Sequence, residues 1–218
     1  MTREILAAAR SGQSAARRVL LLPPAYSGPE DFLREGFHDA VRSRGLDLDL
    51  VLVELRFRSV SDRSVLTHLE ELIRAARGAG CQDLWLGGIS LGAYIALACA
   101  ERDAHSLDGL CLFAPYLGSH IVTQEIERAG GVAGWQPAEL AEDDEERRIW
   151  RYIKSHAHGT SPIHLGLGRE DRFGARHRLL AAALPAGRVD LVPGGHEWPV
   201  WRTLWERFLD ARFQRQRA

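Results

Sequence analysis

Short apolar runs alternate with segments of helical periodicity along most of this chain, and this alternation restricts its fold more than any other feature. Six runs have the apolar character of buried strands: Val19–Leu22, Leu48–Leu55, Leu84–Leu86, Leu107–Ala114, Pro162–Leu167 and Val189–Val192. Between them lie helical patterns at Pro29–Arg44, Asp62–Arg77, Leu91–Ala100, Arg172–Leu184 and His196–Arg212. Strands that alternate with helices pair in parallel and are covered on both sides. The sequence therefore predicts an α/β fold with a mostly parallel sheet of about six strands and helices on both faces.

The composition is that of one globular domain without a strongly charged surface. A chain of 218 residues is long enough to bury one sizeable core, so we expect a single domain over residues 1–218. Its 28 basic and 29 acidic residues leave a net charge of −1, which argues against nucleic acid as a partner. No apolar run approaches the roughly 18 residues that a membrane span requires, so no span is expected. The sequence leaves the oligomeric state open.

The cysteines and the N-terminal residues indicate a compartment. Cys81, Cys99 and Cys111 lie in or beside apolar stretches and form no CxxC pair, which is typical of buried free thiols. Glu4 interrupts the only apolar patch near the N-terminus, and that patch is too short for a secretion signal. Because reduced thiols suit the cytoplasm, we expect a cytoplasmic protein.

The segment from Tyr116 to His158 interrupts the alternation of strands and helices. It has no strand pattern, and it contains Gly130-Gly131 and the acidic run Glu142–Glu146. Its position directly after an expected strand is one where a small cap is commonly inserted. The segment is either such a cap, at about residues 116–158, or a helical excursion that only covers the sheet, and the sequence leaves both interpretations open.

Gly88-Ile89-Ser90-Leu91-Gly92 fits the pattern G-x-S-x-G between an expected strand and an expected helix. In a nucleophile elbow of this kind the chain turns so sharply that the serine adopts a strained backbone conformation. Glycines two positions before and after the serine leave room for the neighbouring backbone. The alternative is a glycine-rich turn in which Ser90 only caps the helix. Because the pattern also arises by chance, the choice between a nucleophile elbow and a capping turn depends on whether the sequence contains residues that would activate the serine.

A serine hydroxyl becomes a nucleophile when a histidine takes its proton and an acid orients that histidine. Of the nine histidines, only His196 follows a late strand in a short turn, Pro193-Gly194-Gly195. Asp171 lies at the end of the strand before it, so the chain order Ser90, Asp171, His196 is that of an α/β catalytic triad. Glu170 is the rival acid. The alternative roles are an exposed helix-terminal histidine for His196 and a helix cap for Asp171.

The oxyanion hole requires two backbone N–H groups. Leu91 directly follows the serine and supplies one, and the loop after Val19–Leu22 is expected to supply the other. Pro23 and Pro24 have no N–H, which leaves Ala25 first and Tyr26 second. Tyr26 is also a candidate for lining the acyl pocket, unless it packs against the following helix. The further candidates for contacting substrate are Tyr116, Leu117, Trp135 and Trp198, although aromatic side chains more often serve the core.

From about residue 18 to residue 213 the chain resembles the α/β-hydrolase superfamily. Gly-Ile-Ser-Leu-Gly-Ala, Gly-x-x-Asp after a strand, and Gly-Gly-His-Glu-Trp before the last helix are similar to the small esterases of that family. The resemblance implies a serine hydrolase, a carboxylesterase or thioesterase, that cleaves a small acyl ester or thioester through an acyl-serine and needs no metal and no cofactor. An acyltransferase with the same triad and a non-catalytic binding protein of the same fold remain open.

Two departures from the family pattern affect these expectations. Pro23-Pro24 replaces the His-Gly pair common after the first core strand, which weakens the assignment of the oxyanion loop. Only about 18 residues precede that strand, so the early antiparallel hairpin of larger members is expected to be missing. The sequence therefore predicts a minimal α/β-hydrolase fold with a small inserted segment.

Overall fold

A computed structural model describes residues 3–8, 15–137 and 139–214. Within these ranges one twisted sheet contains seven strands in the spatial order β1-β3-β2-β4-β5-β6-β7. Every neighbouring pair is parallel except β1 with β3. The strands are β1 (Glu4–Ala7), β2 (Arg17–Leu22), β3 (Asp49–Val53), β4 (Asp83–Ile89), β5 (Gly109–Phe113), β6 (Ile163–Gly168) and β7 (Val189–Val192).

The expected number of about six strands was one too few, because the edge strand β1 was missed. Glu4–Ala7 pairs antiparallel with β3, with Ile5 opposite Leu52, so one early antiparallel strand is present where none was expected. The strand has only four residues, and the side chain of Leu6 is 54% exposed. A strand this short, at an edge with one face open to solvent, lacks the apolar run that identifies the buried strands.

Nine helices are found among the described residues. Apart from shifts of one to three residues at helix ends, the helices expected between the strands differ from the structure at two places. The expected helix Pro29–Arg44 is divided at Gly36, whose φ of +77° belongs to the left-handed region. A short additional helix precedes the one near Asp62, whose carboxylate accepts the N–H of Ser64 at 3.0 Å. The helices are α1 (Pro29–Arg34), α2 (Phe37–Ser43), α3 (Phe57–Ser61), α4 (Ser64–Gly78), α5 (Leu91–Arg102), α6 (His120–Arg128), α7 (Glu145–His156), α8 (Gly174–Ala183) and α9 (Trp198–Leu209).

The sheet is buried on both faces, as the continuous apolar strands predicted. Along β2, Leu20 and Leu22 belong to the core under α4, α5 and α7, whereas Val19 and Leu21 belong to the core under α1, α2 and α9. This separation follows from the geometry of a strand, in which successive side chains point to opposite faces. The prediction of a mostly parallel sheet covered by helices on both sides is confirmed.

The segment from Tyr116 to His158 carries α6 and α7, and α7 packs against α5. Ile149, Trp150 and Ile153 on α7 are at most 2% exposed and share a core with the apolar side of α5. The indole of Trp150 donates to the carbonyl of Leu117 at 3.3 Å, which ties α7 to the start of the segment. The inserted segment therefore completes the core on one side of the sheet. No helix in the described ranges has the length and apolar character of a transmembrane span.

Candidate active site

The residues singled out in the sequence meet at one edge of the sheet. Because five neighbouring strands are parallel, their carboxyl ends at Leu22, Ile89, Phe113, Gly168 and Val192 lie along the same edge. The loops that follow these strand ends carry most of the candidate residues: Ala25, Tyr26, Ser90, Leu91, Tyr116, Leu117, Asp171 and His196. In open parallel sheets, ligands bind at this edge.

Ser90 forms the turn between β4 and α5 in a conformation that L-amino acids rarely adopt. Its φ is +52° and its ψ is −111°. A Cβ on Gly88 would lie 2.5 Å from the carbonyl oxygen of Gly92, and a Cβ on Gly92 would lie 2.6 Å from the carbonyl oxygen of Pro23. Both glycines are therefore required by the close approach of backbone to backbone. This is the geometry of a nucleophile elbow.

Strained backbone is concentrated at this edge. Only four non-glycine residues of the described chain have a positive φ, and three of them follow adjacent strands: Tyr26 at +64°, Ser90 at +52° and Ala114 at +45°. Residues in such conformations persist where the surrounding structure holds them, and they are frequent at active sites. The clustering makes this edge a candidate for the functional one.

His196 and Asp171 form a directed pair. The Nδ1 atom of His196 lies 2.8 Å from Oδ2 of Asp171, and Oδ1 of the same carboxylate accepts the N–H of Phe173 at 2.9 Å. Asp171 is 6% exposed. Burial, the largest influence, opposes ionisation of this carboxyl. The hydrogen bonds from His196 and Phe173, together with the charges of His177 and His196, outweigh it and hold the pKa of Asp171 below its ordinary value. The anion is therefore placed to orient the imidazole and to stabilise its cation.

Two aromatic side chains contact the imidazole edge to face. The ring of His196 meets Phe173 edge to face with centroids 5.1 Å apart, and it meets Trp201 in the same way at 5.0 Å. Trp201 is 5% exposed and Phe173 is partly buried. These contacts, together with the bond to Asp171, restrict rotation of the ring about its side-chain bonds.

Glu170, the rival acid, does not contact His196. Its carboxylate accepts the N–H of Gly194, and its own N–H donates to the carbonyl of Gly194 at 3.1 Å. Glu170 therefore connects the loop after β6 to the loop that carries His196. Of the two neighbouring acids, the structure places Asp171 against the imidazole.

The hydroxyl of Ser90 makes no hydrogen bond with His196 in the part of the chain that the structure describes. The side chain of Ser90 is partly exposed, and its carbonyl accepts the N–H groups of Tyr94 at 3.2 Å and Tyr116 at 3.0 Å. His196 and Asp171 are thus in contact, whereas no hydrogen bond joins the Ser90 hydroxyl to His196 among the described residues. Such contacts are often long in unliganded enzymes and shorten when substrate binds.

Three backbone N–H groups at this edge, those of Ala25, Tyr26 and Leu91, have no hydrogen-bond partner among the described residues. Leu91 is the first residue of α5, and its N–H has no partner within the helix. In the loop after β2, the N–H of Ser27 donates to the carbonyl of Pro24 at 3.3 Å, and this closes a turn over Ala25 and Tyr26. Neither of these two residues donates its N–H to an acceptor in the described chain. The side chain of Tyr26 is fully exposed, so it does not pack against α1.

The four further candidates for substrate contact have different surroundings. Tyr116 is partly buried beside Tyr94, with ring centroids 5.4 Å apart. Leu117 and Trp135 are 3% and 2% exposed and pack in the core, so we assign neither of them a substrate contact. Trp198 packs edge to face on Phe32 and Phe37 at 5.4 and 5.9 Å. Tyr116 is thus the member of this set that borders Ser90.

Two residues that contact the surroundings of the candidate site, Tyr94 and His177, were not singled out from the sequence. Tyr94 lies four residues after Ser90 on α5, and this helical spacing was a usable signal. Its hydroxyl donates to the buried carboxylate of Glu145 at 3.0 Å. His177 on α8 is 1% exposed, and its Nε2 donates to the carbonyl of Pro115 at 3.1 Å. Nothing local in the sequence indicates that second contact, which joins residues 62 positions apart.

Comparison with solved structures found the same fold in several proteins. The fluorophosphonate-binding serine hydrolase FphF of Staphylococcus aureus is similar with a TM-score of 0.65 and 11% identity, over 93% of this chain and 86% of that one. Est1E of Butyrivibrio proteoclasticus gives 0.65 and 12%, over 95% and 93%. A monoacylglycerol lipase of Paleococcus ferrophilus gives 0.62 and 14%, over 96% of both chains. No protein-family model and no curated protein matches the sequence. At such identities the similarity concerns the fold.

Proposed function

Since the chain has the α/β-hydrolase fold, we propose that it is a serine hydrolase that cleaves a small carboxylic ester or thioester through an acyl-serine. One observation carries the proposal: the His196–Asp171 pair, at 2.8 Å, lies at the same sheet edge as the strained Ser90. A serine that only capped a helix would need neither the strained conformation nor a buried acid that orients a histidine.

In the proposed first step, His196 removes the proton from Ser90 as the hydroxyl oxygen attacks the acyl carbon. Asp171 accepts a hydrogen bond from Nδ1, so Nε2 is the nitrogen left to act as the base. The imidazolium then protonates the leaving alcohol or thiol, and the acyl group stays on the serine. In the second step His196 takes a proton from water as the water oxygen attacks the acyl carbon. His196 then returns this proton to the oxygen of Ser90 as the bond between that oxygen and the acyl group breaks and the acid is released.

The proposed oxyanion hole consists of the N–H of Leu91 and one N–H from the turn after β2. The turn is held against the elbow because Gly92 approaches the backbone of Leu22 and Pro23 closely. Ala25 and Tyr26 offer the free N–H groups of that turn. Removing one such donor typically lowers turnover by about 10²–10³-fold. The two donors support the tetrahedral intermediate of either step.

The proposal is tested with a panel of acyl esters and thioesters of graded length and with a fluorophosphonate probe. We expect wild-type protein to hydrolyse short acyl esters or thioesters and to be labelled by the probe. Ser90→Ala should abolish labelling and lower turnover by about 10⁴-fold or more, and His196→Gln should have a similar effect. Matched controls are Ser155→Ala and His105→Ala, which change exposed residues away from this edge.

Different outcomes separate the proposal from its competitors. Hydrolysis and labelling that persist in Ser90→Ala would refute the assignment of the nucleophile. Wild-type protein that binds the esters but neither cleaves them nor reacts with the probe would instead be a binding protein of this fold. If an added alcohol or amine captures the acyl group in preference to water, the protein is an acyltransferase. The rate of ester cleavage should fall on acidification, because the proposed base acts in its neutral form.

A further inference from the structure

The loop that carries Asp171 and the start of α8 form a cationic rim beside the proposed active site. Four arginines lie within ten positions here: Arg169, Arg172, Arg176 and Arg178. The only acids in this stretch are Glu170 and Asp171, and both carboxylates are occupied by Gly194, His196 and Phe173. None of the four arginines lies within 4.0 Å of a carboxylate in the described ranges. The rim therefore carries unneutralised positive charge.

Arg172 is connected to the catalytic imidazole through one aromatic ring. Its guanidinium carbon lies 4.9 Å from the centroid of the Phe173 ring, and the same ring contacts His196 at 5.1 Å and His177 at 6.3 Å. The side chain of Arg172 is exposed, so its N–H groups remain accessible to a ligand. A cation over an aromatic face is held in place by the ring without using its hydrogen-bond donors.

Arg176 is connected to the nucleophile through the loop after β5. Its Nη1 donates to the carbonyl of Gly118 at 3.1 Å. Burial and the charge of Glu146 raise the pKa of Tyr116, and the charge of Arg176 opposes this shift in part. The N–H of Tyr116 in turn donates to the carbonyl of Ser90 at 3.0 Å. The guanidinium of Arg176 is thus bound to the loop after β5, and the backbone of the same loop contacts Ser90.

The carboxylate of Glu146, which lies beside the same loop, already has hydrogen-bond partners. Glu146 accepts the N–H of Ser119 at 2.9 Å and the hydroxyl of the same residue at 2.6 Å. A guanidinium has five N–H donors, and Arg176 uses one of them on the carbonyl of Gly118. Arg176 is partly buried, and it forms no ion pair with a carboxylate among the described residues. Its remaining donors have no hydrogen-bond partner in the described part of the chain.

We propose that Arg172 and Arg176 bind an anionic group of the substrate, so that the preferred substrate is an ester or thioester that carries a carboxylate. This inference rests on the proposed hydrolase function and names the substrate class for that site. The planar guanidinium matches a carboxylate in shape and hydrogen-bond geometry. A substrate of this class would have its reacting carbonyl over Ser90 and its charge toward α8.

Matched substrate pairs test this specificity. The first pair is mono-p-nitrophenyl glutarate and its methyl ester, which place the charge on the acyl side. The second is 4-acetoxybenzoate and its methyl ester, which place the charge on the leaving group. We expect wild-type protein to favour the anionic member of at least one pair by about tenfold or more in kcat/KM, the range of hydrogen bonds to charged groups. The pair that shows the preference identifies the side of the ester that faces α8.

The variants Arg172→Met and Arg176→Met should lower the ratio of kcat/KM for the anionic and neutral esters by about tenfold each, mainly through KM. Arg176→Lys retains the charge and should restore part of the ratio, which separates charge recognition from a general disturbance of α8. Arg151→Met changes an exposed arginine on α7, outside the rim, and should leave the ratio unchanged. Added salt should reduce the wild-type preference, because it screens exposed charges.

The outcomes distinguish this inference from the function on which it rests. If the neutral esters are hydrolysed by a Ser90-dependent route but neither anionic ester is favoured, the inference is wrong and the hydrolase function stands. A preference that survives in both methionine variants also overturns it. If no ester is hydrolysed and Ser90 does not react with the fluorophosphonate, the hydrolase function itself fails.

Discussion

The strained backbone at Ser90 should make the active protein less stable than a glycine variant of it. At φ +52° and ψ −111° an L-residue is held in a sparsely populated conformation, at a free-energy cost of about 1–3 kcal/mol. Glycine has no Cβ and adopts positive φ freely. Ser90→Gly should therefore relieve the strain, whereas Ser90→Ala removes the hydroxyl and keeps the Cβ. The comparison of the two variants isolates the strain from the loss of the hydroxyl.

The expected difference follows from two opposing contributions. Relief of strain favours Ser90→Gly, and the greater freedom of glycine in the unfolded chain opposes it by about 0.4–1 kcal/mol. The net result is that Ser90→Gly should be about 1–2 kcal/mol more stable than Ser90→Ala. For a chain of this length, that difference corresponds to an increase in Tm of about 2–8 °C. Both variants should lack esterase activity.

The assay is thermal and urea unfolding of both variants, followed by far-UV circular dichroism. Ser155 supplies a matched control, because it lies inside α7 and is exposed. There the same comparison should have the opposite sign, with Ser155→Gly about 0.5–1 kcal/mol less stable than Ser155→Ala. If Ser90→Gly proves no more stable than Ser90→Ala while the control behaves as expected, the backbone at residue 90 is not strained and the elbow argument fails.

Three further predictions concern the surroundings of the site. Asp171→Asn should lower kcat by about 10⁴-fold with an unchanged circular dichroism spectrum, because the amide no longer holds the tautomer of His196 that accepts a proton from the serine. Burial, opposed in part by Asp171, holds the pKa of His177 below its ordinary value. Below about pH 6.5 the unfolded chain therefore binds more protons than the folded chain, and the free energy of unfolding decreases as the pH decreases. Between pH 7.5 and 5.5, His177→Gln should lose less stability than wild type. In Gly92→Ala, a Cβ 2.6 Å from the carbonyl carbon of Leu22 should lower the free energy of unfolding by about 1–3 kcal/mol, measured in urea.

Each of these predictions has a contradicting result. Near-normal turnover in Asp171→Asn would mean that another group orients the histidine. An identical pH dependence of Tm in wild type and His177→Gln would show that His177 binds its proton equally well in the folded and unfolded chain. A Gly92→Ala variant as stable as wild type would show that the loop after β2 can move away from α5.

Much of the architecture was predictable because it depends on local patterns. Apolar runs and helical periodicity identified six of the seven strands and the helices between them, since burial on two faces requires apolar residues throughout a strand. Edge strand β1 and the break at Gly36 were not predictable in this way. The first is partly exposed, and the second depends on a backbone conformation that glycine allows but does not require.

In the candidate site, too, some features depend on local sequence patterns and others depend on tertiary packing. The sequence by itself determined the elbow around Ser90, the chain order of the three candidate triad residues, and the two prolines that cannot donate to an oxyanion. These follow from the covalent properties of glycine and proline and from the positions of strand ends. They needed no knowledge of which side chains touch.

Only the tertiary structure decided between neighbouring residues with the same chemistry. Asp171 reaches His196 while Glu170 binds Gly194, and this choice depends on how the loops after β6 and β7 pack. The packing of the strands and helices also buries Trp135, leaves Tyr26 exposed and holds Arg176 against the loop after β5. The physical reason is that such contacts join residues far apart in the chain. Their distances are determined by the packing of whole strands and helices, which no local pattern of residues contains.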